Sequence, residues 1–417
     1  MNIVVCRPNC NNNYQESIKD LRAIEPPLWH LILCNYYHTD FLVDAEGENY
    51  TIAQTIDKII SYNPDKVIIL SSGSHPSAFI QQKEIAFKLD LLLSKKHIYT
   101  ETYSYLPFDP CKWVSPRIKW ELIDINKYKS HNWHSWSNNC NRSPYGVIFT
   151  SISCPFRCSY CVVHQFYGIQ FEQRLIEDVI RDFDDLAKLN IKNIKIIDEL
   201  FIFNSNRINL ICDELIKREY DFNIWAYARI DIMNDKLLKK MRKAGIKWLA
   251  YGIEHGSEEM RKSIFKGSFS NNKIREVIKM TKDNNIYTVG NYMFGFWEDN
   301  LNTMQETLDL AFELNCEFAN FYTLTIFENT PLYEEYKKKN VALPTSYYQY
   351  AQMAECFYPV DTKYLSGKKV LQFRDEAFLK YYTSSPYLNM MQHQFGDKII
   401  KDIKQMTSKK LKRDYLD

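Results

Sequence analysis

No uninterrupted apolar run in this 417-residue chain approaches the roughly 20 residues that a membrane-crossing helix needs. Charge of one sign is lacking too. Lys and Arg number 53 against 51 Asp and Glu, a formal charge of +2, with no large basic block. That argues against a nucleic-acid footprint and leaves a small or neutral substrate as the expectation. There is no low-complexity stretch. The start, Met1-Asn2-Ile3-Val4-Val5-Cys6, reads as a buried strand and lacks the charged region and long apolar core of a secretory leader. A cytoplasmic protein is expected, with its 11 cysteines reduced and no disulfide framework. Only three of those cysteines cluster tightly.

The chain is long enough for two or three domains, and a 45% hydrophobic fraction suits a globular protein with a substantial core. Residues 1–105 read as a small α/β unit with strands at Ile3-Cys6, Phe41-Asp44, Val67-Leu70 and Ile98-Tyr103. Between the second and third, Ile52, Ile56, Ile59 and Ile60 repeat at the helical period of a layer packed on a sheet. Ser71-Ser72-Gly73-Ser74-His75-Pro76 then follows the third strand. Ligands of open α/β sheets bind at such carboxyl ends, although the same composition serves an ordinary turn.

Residues 106–144 form a linker with Pro107, Pro110 and Pro116, in which Trp113, Trp120, Trp133 and Trp136 interleave with His131 and His134. So many rings must bury surface. Packing between domains is expected, with a flat cofactor as the alternative partner. Residues 145–330 alternate strand and helix, with strands at Val147-Thr150, Ile194-Ile197, Ile224-Ala228, Trp248-Tyr251, Thr288-Met293 and Phe318-Leu324. Six such units suggest a parallel sheet curved into a partial (β/α)6 barrel with its active residues at the carboxyl ends. Residues 331–417 read as mainly helical. The run Lys409-Lys410-Leu411-Lys412-Arg413 is taken as a solvated helix face, with nucleic-acid contact a minor alternative.

The stretch Cys154-Pro155-Phe156-Arg157-Cys158-Ser159-Tyr160-Cys161 follows the first barrel strand. Four-iron clusters are usually held by four thiolates, so three on one loop would leave an iron open to another ligand. An open position is what separates a metal site that does chemistry from one that braces a fold. A zinc site of Cys154, Cys158, Cys161 and His164 is the rival reading, chemically acceptable but without a second short ligand arm. Such a zinc or iron-sulfur module need not be an enzyme.

This loop resembles the signature of the radical S-adenosylmethionine (SAM) superfamily, Cys-x3-Cys-x-aromatic-Cys, filled by Cys154, Cys158, Tyr160 and Cys161. Glu25-Pro26-Pro27-Leu28-Trp29, Asp44-Ala45-Glu46-Gly47-Glu48-Asn49, His75-Pro76-Ser77-Ala78 and the downstream run through Asn315, Glu317, Asn320 and Tyr322 are similar to members with an N-terminal cobalamin (B12)-binding domain. The resemblance implies that the three cysteines hold a [4Fe-4S] cluster whose fourth iron takes SAM. It makes residues 1–105 a Rossmann-like domain holding the corrinoid and places Tyr160 near the adenine. Asp198, Glu199, Arg229 and Glu254 would position SAM, Gly290 and Gly295 would admit the nucleoside, and Ser72, Gly73, Ser74 and His75 would line the corrinoid. The implied activity is cleavage of SAM to a 5'-deoxyadenosyl radical that attacks an unactivated carbon of a metabolite, sugar or lipid precursor. Methylcobalamin would then transfer methyl, and flavodoxin or ferredoxin would donate electrons. The alternative is a non-methylating rearrangement, oxidation or cyclisation. Two departures stand out: no Asp-x-His-x-x-Gly motif marks a cobalt ligand, and the passage from Ala78 to the Trp120 region is short, which suggests an abbreviated cobalamin domain.

Overall fold

The computed structural model describes residues 1–10, 13–73, 75–108 and 117–416. Ser74, Pro110, Trp113 and Pro116 therefore lie outside the described residues. Strands β1 (Ile3–Arg7), β2 (Phe41–Asp44), β3 (Lys66–Leu70) and β4 (Tyr99–Tyr103) form a parallel sheet of order β2-β1-β3-β4. Both of its faces are covered, which explains the continuous apolar run of β3. Val4, Cys6, Val67 and Ile69 point into a core with Ile56, Ile59, Ile85 and Leu89 from helices Ile52–Ile60 and Pro76–Ser94. The alternate residues Ile3, Val5, Ile68 and Leu70 join helix Leu28–Tyr36 in the main core of the molecule. A Thr51–Gln54 capping box starts the helix at Ile52.

The second sheet contains β5 (Tyr145–Ile148), then, after the short antiparallel pair β6 (Ser151–Ile152) and β7 (Glu172–Gln173), strands β8 (Asn193–Ile196), β9 (Asn223–Ala228), β10 (Ile246–Glu254), β11 (Tyr287–Phe294) and β12 (Phe318–Thr323). Its order is β12-β11-β10-β9-β8-β5, parallel throughout and open between β5 and β12. Register identifies its inner face. Val147, Lys195 and Trp225 lie side by side, as do Tyr227 with Ala250, Gly252 with Asn291 and Asn320, and Met293 with Tyr322. Their neighbours point outward, because Tyr251 hydrogen-bonds Thr281 of the outer helix layer at 2.8 Å and Phe321 packs on Tyr381.

The aromatic linker has a more specific place than an interdomain wedge. Trp133 packs on Trp225, Trp248 and Phe318 with ring centroids 5.3, 5.2 and 5.4 Å away. His134 Nε2 donates to the Asn223 carbonyl at 2.8 Å, and Asn223 Nδ2 returns a bond to the His134 carbonyl. The linker thus plugs the amino-terminal end of the half-barrel, where side chains fill the interior. Its flanks hold the first sheet's unit: the Tyr128 hydroxyl donates to Asp44, and Arg142 donates to the carbonyls of Asp20, Leu21 and Arg22.

Helices Gly367–Thr383, Ser385–Phe395 and Asp397–Ser408 cover the open edge at β12. They satisfy it with side chains. The phenols of Tyr381, Tyr382 and Tyr387 donate to the carbonyls of Cys316, Ala319 and Glu317, and Arg374 donates to that of Phe321. An edge strand left bare would be an aggregation hazard. The run Lys409–Arg413 corrects the sequence reading: it lies beyond the last helix, and Arg413 is buried against Asp375 and the Gln352 and Ala354 carbonyls. No helix among the described residues is long and apolar enough to cross a membrane.

Candidate active site

Ser153, in the left-handed region at φ 67°, turns the chain out of β6 into the cysteine loop. Three bonds then fix the loop without using a thiol. The Ser153 hydroxyl donates to the Gly168 carbonyl at 2.7 Å, the Ser159 amide to the Ile264 carbonyl at 3.0 Å, and the Leu332 amide to the Ser159 carbonyl at 3.1 Å. Cys154, Cys158 and Cys161 are free and partly accessible. Burial raises the thiols of Cys154 and Cys161, the latter to about 12. The Phe156 and Val163 amides pull the other way, donating toward Cys154 and Cys161 respectively, while the neighbouring Cys158 disfavours the ionised form of both. Crowded thiols, two of them offered an amide N–H, fit a cationic cluster that keeps them ionised.

The tetrahedral zinc arrangement draws no support from this geometry. His164 Nε2 donates to the Cys154 carbonyl at 2.7 Å, and no three His, Cys, Asp or Glu among the described residues are gathered to hold a single metal ion. Thiolates of an iron-sulfur cluster bind separate irons and stand farther apart.

The two strand-end carboxylates after β8 differ sharply. Asp198 is buried and accepts from the Thr150 amide at 2.6 Å, the Thr150 hydroxyl at 2.5 Å and the Ser151 hydroxyl at 2.7 Å, so it ties β8 to the strand carrying the loop. Glu199 is exposed toward a cavity of about 170 Å³ that also meets Cys161, Lys195 and Tyr227. The surrounding walls raise its carboxyl to about 7, opposed by Lys195 and aided by Asp198.

Glu254 sits where β10 shifts register against β11, at φ 67°, a bulge that re-aims its side chain. It pairs with Lys266 at 2.7 Å and faces the Tyr160 hydroxyl. Lys266 carries no signal in the sequence, since it lies in a loop well after its strand. The Glu254-Lys266 pair fills the space over Gly252, where a Cβ would meet both side chains at 2.4 Å. Arg229 is held by Asp231 and the Lys266 carbonyl. The spaces beside Gly290 and Gly295 are taken by the Tyr292 ring and by Val370.

A larger cavity of about 610 Å³ adjoins the first and shares Trp29, Ser72, Gly73, Phe166 and Tyr167 with it. It opens between the carboxyl ends of β3 and β4 and the segment after the cysteine loop. Phe79 against Phe166, 4.1 Å between ring centroids, joins the two units across this boundary. The Ser72 amide donates to Gln82, which in turn donates to Glu46. His75 lines the smaller cavity, but its Nδ1 caps helix Pro76–Ser94 by accepting from the Ala78 amide, and its Nε2 faces the Tyr14 hydroxyl at 3.4 Å. Burial and then Lys195 lower this imidazole to about 4, so it is neutral at pH 7.

The raised Glu199 value sets a sign. The fold favours the protonated carboxyl, so its contribution to stability is complete below about 4.5 and is lost as pH rises through about 7. Glu199→Gln keeps the neutral form at every pH. In denaturant titrations the two proteins should have similar midpoints below pH 4.5, and wild type should become the less stable partner above pH 7.

Residues 148–311 match the model of the radical SAM superfamily. An uncharacterized methyltransferase of Pyrococcus horikoshii is 24% identical over 64% of this chain and 55% of its own length. The anaerobic magnesium-protoporphyrin IX monomethyl ester cyclase of Cereibacter sphaeroides is 20% identical over 84% of this chain and 66% of its own. The chain thus spans between about half and two thirds of these relatives' lengths. Among solved structures, the cobalamin-dependent SAM radical enzyme OxsB with aqua-cobalamin and SAM bound superposes with a TM-score of 0.66 at 15% identity, covering 98% of this chain and 71% of that one. The radical SAM methyltransferase TsrM of Kitasatospora setae, with tryptophan and a SAM analogue bound, gives 0.63 at 14% identity over 91% and 88%. Residues 148–311 are thus similar to the radical SAM superfamily, and the chain as a whole carries the fold of OxsB and TsrM.

Proposed function

We propose that the protein is a radical SAM enzyme that methylates an unactivated carbon of a small molecule with the help of cobalamin. One observation carries this reading. Two adjoining cavities run from Cys161 to the Ser72-Gly73 turn, so the ends of both sheets open onto one continuous space. When bound, a reduced [4Fe-4S] cluster supplies the electron that cleaves SAM to a 5'-deoxyadenosyl radical, and methylcobalamin supplies the methyl group.

The chain's own residues then bind, orient and exclude water. Cys154, Cys158 and Cys161 are the cluster ligands. Glu199 is the strand-end carboxylate open to the cavity and serves the SAM amino group, leaving Asp198 to brace the loop. The Glu254-Lys266 pair beside Tyr160 lies where the nucleoside would rest. Ser72 and Gly73 line the corrinoid side, against Phe166 and Tyr167 of the facing wall. In the half-barrel, Tyr227 and Tyr322 point inward and are partly accessible, and neutral His131 stacks on Trp133 at the floor. Burial and then Lys195 hold the His131 imidazole well below its usual value. These uncharged groups suit a substrate bound by hydrogen bonds and flat contacts.

Anaerobic addition of hydroxocobalamin to the purified protein, followed by gel filtration and absorbance, tests the corrinoid half. Retention of about one cobalamin per chain is expected; loss of all of it favours the non-methylating alternative. Gly73→Ala should abolish that retention. A Cβ there would lie 2.2 Å from the Phe79 amide nitrogen and 2.4 Å from the Ala78 carbonyl carbon, so the turn must move.

A further inference from the structure

We infer that Arg229 serves the iron-sulfur cluster and not the SAM carboxylate; this rests on the radical SAM reading above. Arg229 is 6% exposed, and two of its three guanidinium nitrogens are already engaged. Nε and Nη2 grip Asp231 at 3.0 and 2.7 Å, and Nη2 also donates to the Lys266 carbonyl at 2.5 Å. Its plane lies over the Phe156 ring, 3.6 Å from the centroid. Phe156 stands between Cys154 and Cys158 in the loop. Among the described residues, Nη1 has no acceptor and is the free donor of the fork.

The strand-end that carries Arg229 and the segment behind Lys266 together bracket the cysteine loop. The Ser159 amide is tied to Ile264, two residues before Lys266, whose carbonyl takes Arg229. Beyond Asp231, the groups whose ionised forms would favour the Arg229 charge are the Cys158 and Cys154 thiols. An oxidised four-iron cluster with three thiolates carries one net negative charge and gains a second on one-electron reduction. A fixed cation beside it, in a site poor in water, favours the reduced form. Arg229 therefore holds the loop's Phe156 in place by stacking and raises the cluster's reduction potential. A SAM carboxylate would have to compete for the single free nitrogen.

An EPR-monitored titration with dithionite on the reconstituted protein without SAM tests this. In Arg229→Gln the reduction equilibrium should become about tenfold less favourable, a midpoint about 59 mV lower. Arg229→Lys should recover most of that shift. Asp231→Asn, which keeps the guanidinium and removes its counter-charge, should move the midpoint upward, and it carries the test if the glutamine variant fails to load iron. Midpoints unchanged in the SAM-free variants, with SAM binding weakened in Arg229→Gln, would overturn the inference and return Arg229 to the SAM site. A wild-type protein that takes up no cluster would instead contradict the reading on which the inference rests.

Discussion

Replacing Cys154, Cys158 and Cys161 together by alanine should remove iron binding and SAM cleavage completely while the apoprotein unfolds much as its parent does. The two outcomes separate because the loop is anchored by Ser153, Ser159 and Leu332, none through a thiol. The three cysteines are partly accessible, and the amide contacts to Cys154 and Cys161 come from within the loop or just after it. Each replacement should cost about 0.5 kcal/mol or less. Iron and sulfide per chain, the EPR signal of the reduced protein and 5'-deoxyadenosine by chromatography all fall to background in the triple variant. A single substitution suffices for most of the loss, since two thiolates on this loop do not hold the cluster. Retained SAM cleavage in the triple variant would reassign the chemistry elsewhere.

Trp133→Ala should give the largest loss of stability, about 3–5 kcal/mol. Trp133 is 4% exposed and its ring contacts Trp225, Trp248 and Phe318, which come from three different strands. Removing it opens a cavity among large rigid rings that cannot close over the space. Trp133→Phe keeps much of the volume and should cost about 1–2 kcal/mol. Denaturant melts measure both. If alanine costs no more than phenylalanine, the linker does not plug the barrel floor.

The sequence made all ten strands of the two main sheets legible, most of them because parallel strands buried on both faces read as continuous apolar runs, while the exposed edge strand β4 shows instead as a run of aromatic and β-branched residues. Runs such as Val67-Ile68-Ile69-Leu70 and Ile224-Trp225-Ala226 have no other comfortable place in water. The pair β6-β7 escaped, since two residues per strand leave no period to read. Within the site, the cysteine spacing was visible because all three cysteines share one loop. Lys266 was not, because its partner Glu254 meets it only through a bulge at the end of β10. Asp198 and Glu199 are adjacent in sequence and alike in chemistry; only the burial of one and the cavity beside the other separate their roles. Trp133 announced burial but not its destination, which depends on strands up to 185 residues away at Phe318. Arg413 misled for the opposite reason: a basic run usually faces water, and here one member finds Asp375 and two carbonyls inside.

The most direct measurement is anaerobic incubation of the reconstituted protein with SAM and dithionite, with quantification of 5'-deoxyadenosine. The account predicts that 5'-deoxyadenosine accumulates in the wild type and is absent from the triple cysteine variant. A wild-type protein carrying about four irons and four sulfides per chain that forms none of it under these conditions would contradict the account.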